Sequence, residues 1–265
     1  MTEAGRDLGL FGAPNARDLG GYRCRDGRVV RSGMLLRSEA LSYATAADLE
    51  LLRDLGLAMV IDLRGEVEAA ARGAGPWAGP RTHLPTTDVT QTVLAELVSA
   101  GPNAEPRDEE VLVKIMVEMY RQFVADESSR SAFSAALNLI AEKTRAGQPV
   151  LFHCTAGKDR TGWLAALVLS GVGVDRADVY ADYLLTNERS STGRGAEARA
   201  RLLATIRLMV GESQSLLPLI EVRPGYLDAA FAEVETRYGS VEEFLVNGLG
   251  FDIERFRETI LAVTG

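Results

Sequence analysis

Pro149-Val-Leu-Phe-His-Cys-Thr-Ala-Gly-Lys-Asp-Arg-Thr-Gly162 is the stretch that decides the architecture. Its first five residues make an apolar run of strand length, and residues 161–169 read as a buried helix. Only a tight loop fits between them. Upstream, Phe133, Ala136, Leu137, Ile140 and Ala141 recur at helical spacing within 128–145, which Gly147 closes. Helix, strand, tight loop and helix in succession predict an α/β fold, with a central, mostly parallel sheet flanked by helices.

Working outward, residues 57–62 and 81–84 read as further strands, the first rich enough in Val and Ile for a buried parallel position. Thr45 is an expected N-cap for a helix ending near residue 55, with Gly56 after it. The first forty residues, with short extended pieces at 28–31 and 34–36, are read as loops and a β-hairpin. Residues 108–124 predict another helix, after a Pro- and Gly-marked loop at 99–108. Beyond residue 175 the pattern is helical. A flexible joint is expected at 190–195, then an amphipathic helix with Leu202, Leu203, Ile206, Met209 and Val210 on one face. Pro218 and Pro224 interrupt the pattern before helices at 226–238, 241–246 and 252–263. No linker separates two cores, so one domain over 1–265 is expected.

The 265 residues carry a formal charge of −8, 46% hydrophobic and 25% charged residues. That composition is globular, and its acidity argues against nucleic acid as a partner. Two His and two Cys leave no basis for a metal centre or a disulfide framework. The polar start is unlike a Sec-type signal peptide, and the most apolar stretch, 162–174, is too short to cross a bilayer. A reducing cytoplasm is the expected location, with export independent of a signal peptide left open.

The loop 154–160 carries the chemistry. Its backbone N–H groups converge, and the following helix N-terminus adds positive potential, a combination that binds phosphate. Thr155, Ala156, Gly157, Lys158, Asp159 and Arg160 are the candidate phosphate cradle, with the Arg160 fork gripping two oxygens. The same field favours a thiolate at Cys154 and so an in-line nucleophile, with a phosphocysteine formed and then hydrolysed to inorganic phosphate. Thr161 is a candidate donor to the sulfur, and His153 a candidate orienter of the loop. A nucleotide P-loop is excluded, because Gly157-Lys158 is followed by Asp159 rather than Ser or Thr.

The segment His-Cys-Thr-Ala-Gly-Lys-Asp-Arg-Thr-Gly resembles the signature of protein tyrosine phosphatases. More narrowly, it resembles the atypical bacterial tyrosine and lipid phosphatases with an H-C-x-x-G-K-D-R loop. Asn15-Ala-Arg-Asp-Leu-Gly-Gly21, Leu36-Arg-Ser-Glu39, Val60-Ile-Asp-Leu-Arg64, Asp182-Tyr-Leu-Leu-Thr-Asn187 and Tyr238-Gly-Ser-Val-Glu-Glu-Phe-Leu245 follow the same family in the same order. The resemblance implies a phosphatase domain without metal or organic cofactor and a helical lid at about 189–220. Residues 189–207 hold five Arg and one Glu, which suits either an anionic lipid or phosphoprotein partner or a merely solvated face. The resemblance also implies that the proton for the leaving oxygen comes from Asp159. Lys158 and Arg160 beside that carboxyl oppose an acid role, and a bound phosphate dianion restores it.

Asp62 is the alternative acid, or else a structural partner of Arg64. Arg17, Asp18 and Arg64 are read as one buried ion-pair cluster. Cys24 is read as an inert core thiol, with a protective disulfide to the nucleophile as the reading the family raises. Phosphotyrosine protein is the first expected substrate, phosphoinositides and phosphoserine or phosphothreonine the others. Lys158 favours a phosphoinositide, whereas Thr155 stands where lipid-directed members carry a basic residue. A phosphoinositide-specific phosphatase, a sulfurtransferase or arsenate reductase, and a non-catalytic phospho-ligand module remain the alternatives.

Overall fold

The computed structural model describes residues 4–87, 89–212 and 214–263. In chain order its first half contains β1 (Arg17–Asp18), β2 (Val29–Val30), β3 (Leu35–Ser38), α1 (Ala46–Asp54), β4 (Met59–Asp62), α2 (Glu66–Arg72), β5 (Arg81–His83), α3 (Val89–Ala100) and α4 (Glu109–Ala125). The second half contains α5 (Glu127–Arg145), β6 (Val150–His153), α6 (Asp159–Gly171), α7 (Arg176–Ser191), α8 (Gly193–Val210), α9 (Leu217–Ile220), α10 (Pro224–Tyr238), α11 (Val241–Glu243), α12 (Ile253–Ile260) and β7 (Leu261–Ala262).

The expected sheet is present, in the order β1-β3-β6-β4-β5, with β3, β6, β4 and β5 parallel and β1 antiparallel at one edge. Successive strand residues alternate between two apolar layers. Leu35, Ile61, Val150 and Phe152 enter the larger core, while Leu36, Val60 and Leu151 enter a smaller one on the opposite face. Burial on both faces is what a parallel strand requires, and it explains why β6 is apolar rather than alternating up to its last residue, His153. β6 is central. Its last residue, His153, is level with Ser38 on one side and Asp62 on the other. Cys154 therefore emerges at the carboxyl edge of the sheet, where α/β folds place their ligands.

Local chemistry explains the element boundaries. Thr45 and Asp48 form a capping box at the start of α1, with Asp48 N–H donating to Thr45 Oγ1 at 3.2 Å and Thr45 N–H to Asp48 Oδ2 at 2.8 Å. Asp126 ends α4 and caps α5, its Oδ2 accepting from Ser129 N–H at 2.8 Å. α6 is buried along nearly its whole length, and Trp163 meets Phe231 of α10 edge-on at 5.4 Å between centroids.

Several expectations need correction. The hairpin within the first forty residues is formed by Val29–Val30 turning back on Tyr22–Cys24, with β7 on its other side, while 35–38 joins the main sheet. The joint at 190–195 is a single residue, Thr192, between two helices that pack on each other. The helix expected to reach residue 263 stops at Ile260, where the chain extends to pair with β2. α2 and α3 were not legible, since neither shows a strong apolar period. Trp163→Ala should lower stability by roughly 3–5 kcal/mol, because the truncated side chain leaves a cavity in a fully buried helix. A urea titration followed by circular dichroism measures it.

Candidate active site

The loop after β6 is shaped from outside. The Thr155 carbonyl accepts from Ala40 N–H at 3.1 Å, the Ala156 carbonyl from Asn15 Nδ2 at 3.2 Å, and the Gly157 carbonyl from Asn15 Nδ2 at 3.1 Å and Arg37 Nη2 at 2.9 Å. In a trans peptide the C=O and the following N–H point oppositely. Three carbonyls turned outward therefore turn the N–H groups of Ala156, Gly157 and Lys158 inward, and among the described residues these donate to no protein acceptor. Gly157 is required here. Its φ is +64°, and a Cβ would lie 2.5 Å from the backbone of Ser38 and Glu39. α6 starts at Asp159, so its N-terminus adds to the same positive field. Cys154 lies at the base of this turn, 2% exposed.

Arg160 is 1% exposed and forks onto Glu68 of α2, with Nη1 to Oε2 at 2.5 Å and Nη2 to Oε1 at 2.9 Å. Glu68 also accepts from Thr155 Oγ1 at 2.5 Å and from Gly65 N–H at 2.9 Å. Burial pushes its carboxyl up, but the Arg160 bond and charge outweigh that and hold it below the usual range. Sequence reasoning missed Glu68. Its only local signal is the spacing Gly65-x-x-Glu68, a capping pattern with nothing to mark it as the partner of a residue 92 positions away.

Asp159 is 5% exposed. Its Oδ1 accepts from Tyr120 Oη at 2.9 Å and its Oδ2 lies 3.2 Å from Lys158 Nζ. Tyr120 and Tyr183 hydroxyls are 2.7 Å apart. Burial, then the Asp159 charge, push the Tyr120 phenol well above its ordinary value, so it stays a donor. Lys158 Nζ donates to the carbonyls of Leu219 in α9 at 2.6 Å and Glu221 at 3.5 Å. It thus points at the segment 217–221.

Asp62 is spent on structure: Arg64 reaches it through Nε at 2.9 Å and Nη2 at 2.6 Å, and Arg81 lies 3.9 Å away. Burial pushes the Asp62 carboxyl up, yet its Arg64 bonds and the His153 ring hold it low. His153 Nδ1 lies 2.9 Å from the Cys154 carbonyl, and Thr161 Oγ1 is buried without a protein partner among the described residues. The cluster expected of Arg17, Asp18 and Arg64 does not form, since each has a different partner. Asp18 accepts from the N–H groups of Gly20 at 2.8 Å and Gly33 at 2.7 Å. Arg17 binds Asp182 through Nε at 2.9 Å and the Asn15 side-chain oxygen through Nη1 at 2.7 Å, which orients the Asn15 amide onto the loop. Arg37 shares Asp182 through Nη1 at 2.5 Å. Cys24 joins Val174 beyond the far end of α6, whose 13 residues separate it from Cys154 by roughly 20 Å. No disulfide between them fits that spacing.

Burial lowers the His153 ring to about 4. A His kept neutral by the fold contributes its stability in full above about pH 6.5 and loses it as the pH falls toward 4, by about 3 kcal/mol. Glu39, whose carboxyl burial pushes up to about 7, works in the opposite direction as the pH rises. His153→Gln should therefore flatten the acid side of the stability profile relative to the wild type in urea titrations between pH 4 and 6.5. Arg37→Met, which removes one of the two donors to the Gly157 carbonyl, should cut turnover by roughly tenfold or more while leaving Cys154 and Arg160 in place.

Comparison with known proteins shows the family. A family model described as the tyrosine phosphatase family matches residues 8–262. A Cupriavidus necator protein provisionally assigned as a tyrosine-protein phosphatase is 36% identical over 97% of this chain and 89% of its own length. The triple specificity protein phosphatase PtpB of Mycobacterium tuberculosis is 33% identical over 89% of this chain and 91% of its own. A tyrosine-protein phosphatase of Nostoc commune is 28% identical over 60% of this chain and 50% of its own. With a matched family model over nearly its whole length and two relatives above 30% identity, the chain belongs to the tyrosine phosphatase family of hydrolases.

Proposed function

We propose that the protein hydrolyses phosphomonoesters through a phosphocysteine at Cys154, with phosphotyrosine in a protein as its first substrate. The observation that carries this is the inward turn of the loop N–H groups above a buried Cys, beside an Arg already locked in plane by Glu68. In the first step the Cys154 sulfur attacks phosphorus, an S–P bond forms, and the P–O bond to the tyrosyl oxygen breaks. Asp159 gives its proton to that oxygen, while the loop amides and Arg160 hold the non-bridging oxygens. In the second step water attacks phosphorus, Asp159 takes its proton, the S–P bond breaks, and inorganic phosphate leaves.

Asp159 suits the acid role better than Asp62, which is held by Arg64. Tyr120 fixes Oδ1 of Asp159, and Lys158 divides its charge between Oδ2 at 3.2 Å and the Leu219 carbonyl at 2.6 Å. The segment α8–α9 acts as the lid, tied down through that Lys158 contact. His153 and Thr161 support the loop and the sulfur. By likeness to a relative named for triple specificity, we extend the range to phosphoserine, phosphothreonine and phosphoinositides. A phosphoinositide must draw Lys158 away from the lid to use it. Arsenate reduction loses its resolving thiol, because Cys24 is remote. Both cysteines are free thiols, which suits a reducing cytoplasm. Among the described residues no helix is long and apolar enough to cross a membrane.

The wild type should release phosphate from an aryl phosphate in the presence of EDTA, and Cys154→Ser should abolish release. Asp159→Asn should lower kcat by roughly 10²–10⁴ for phosphotyrosine, and by less for an aryl ester whose phenol is acidic enough to leave unprotonated. Asp62→Asn should show no such dependence on the leaving group. A metal requirement, or activity in the serine variant, refutes the mechanism.

A further inference from the structure

We propose that Tyr120 is the positioning residue of Asp159: it holds Oδ1 of the carboxyl, so that Oδ2 is the oxygen that gives and takes the proton, and Tyr183 fixes the direction of the Tyr120 hydroxyl. The inference rests on the reading of Asp159 as the general acid and names how the fold presents that acid. Asp159 opens α6, Tyr120 lies on α4 and Tyr183 on α7, so three helices converge on one carboxyl group. Tyr120 Oη stands 2.9 Å from Asp159 Oδ1 and 2.7 Å from Tyr183 Oη, and both tyrosines are fully buried. An ionised carboxylate only accepts, so Tyr120 gives its single hydrogen to Oδ1 and itself accepts from Tyr183. Burial, then the Asp159 charge, push the Tyr183 phenol well above its ordinary value, as they do for Tyr120, so both hydroxyls keep their hydrogens.

These two hydroxyls decide where the acid proton sits. A proton on Oδ2 leaves both hydrogen bonds intact. A proton on Oδ1 would turn Tyr120 around and strand the Tyr183 hydrogen, because Tyr183 Oη has no other partner among the described residues. In the first step Oδ2 therefore gives its proton to the leaving oxygen as the P–O bond breaks. In the second step the proton of the attacking water returns to Oδ2, and the tyrosine hydrogens stay in place. Tyr183 reaches this position because residue 162, in the first turn of α6, is glycine; a Cβ there would lie 2.9 Å from the Tyr183 ring. The other charged and titratable groups of the described residues around this carboxyl all have partners. Lys158 Nζ lies 3.2 Å from Oδ2 and turns to the Leu219 carbonyl at 2.6 Å when that oxygen is protonated. Arg160 forks onto Glu68, and Arg37 onto Asp182 and the Gly157 carbonyl. Tyr226 of α10, its ring 5.8 Å from that of Tyr120, donates to the Pro218 carbonyl at 3.1 Å, and Arg223 pairs with Glu109 at 2.7 Å.

A hydrogen bond to the charged form favours it, so removing the Tyr120 hydroxyl makes Asp159 hold its proton to higher pH and leaves Oδ2 unaimed. Tyr120→Phe should lower the plateau kcat for a phosphotyrosine peptide by roughly tenfold, and by less for p-nitrophenyl phosphate, with KM within about twofold. The basic limb of the kcat profile should move up by about one pH unit. Tyr183→Phe should act in the same direction and more weakly, and it carries the same test should Tyr120→Phe fail to fold. In an Asp159→Asn background Tyr120→Phe should change kcat by less than about twofold, because the two residues act as one unit. A readout without turnover is the carbon-13 titration of the Asp159 carboxyl, assigned by its loss in Asp159→Asn, which should move up in Tyr120→Phe. A titration and a basic limb that stay at their wild-type positions, or an equal loss in the Asp159→Asn background, would overturn the role of Tyr120 and leave the acid reading standing. If Asp159→Asn loses no more activity on phosphotyrosine than on p-nitrophenyl phosphate, the acid reading itself falls and the proposal with it.

Discussion

The outward pull on three carbonyl groups governs everything that follows in this molecule. Ala40, Asn15 and Arg37 hold the oxygens of Thr155, Ala156 and Gly157, and the trans peptide geometry then commits the adjoining N–H groups to the interior of the turn. The turn is thus pre-formed by hydrogen bonds made elsewhere, and little of its ordering cost is left to any anion that enters it. Only glycine tolerates the conformation at 157, with the backbone of the next strand pressed against it.

Holding those donors takes a second layer of charge. Asp182 on α7 joins Arg17 and Arg37, Arg17 aims Asn15, and Arg37 reaches the loop itself. Burial pushes the Asp182 carboxyl up, but its two arginines hold it ionised below the usual range. Buried ion pairs of this kind contribute little net stability, because desolvation offsets their attraction. Their value here is directional. Each guanidinium is planar, and a carboxylate that takes one edge of the fork fixes where the other edge points. Glu68 does the same for Arg160, and Asp62 for Arg64.

The segment 217–221 links this interior to the surface. Lys158 spends its charge on the carbonyls of Leu219 and Glu221. The cation that chemistry would aim at a second phosphate is therefore tied to the chain after α8. On the outside, α8 presents leucine and arginine to solvent.

The sequence alone determined the α/β class, the strand–loop–helix unit and the loop residues from Cys154 to Arg160, because these depend on local periodicity, turn chemistry and contiguous spacing. It also carried α1, α4 and α5, whose caps and apolar faces lie within a few residues of one another. Tertiary structure alone decided who pairs with whom. Glu68 with Arg160, Asp182 with Arg17 and Arg37, and β2 with β7 join residues far apart in the chain, and no local pattern encodes a partner's identity. The same holds for Asp62: its carboxylate is equally suited by sequence to acid or to ion pair, and only the fold sets the Arg64 fork against it.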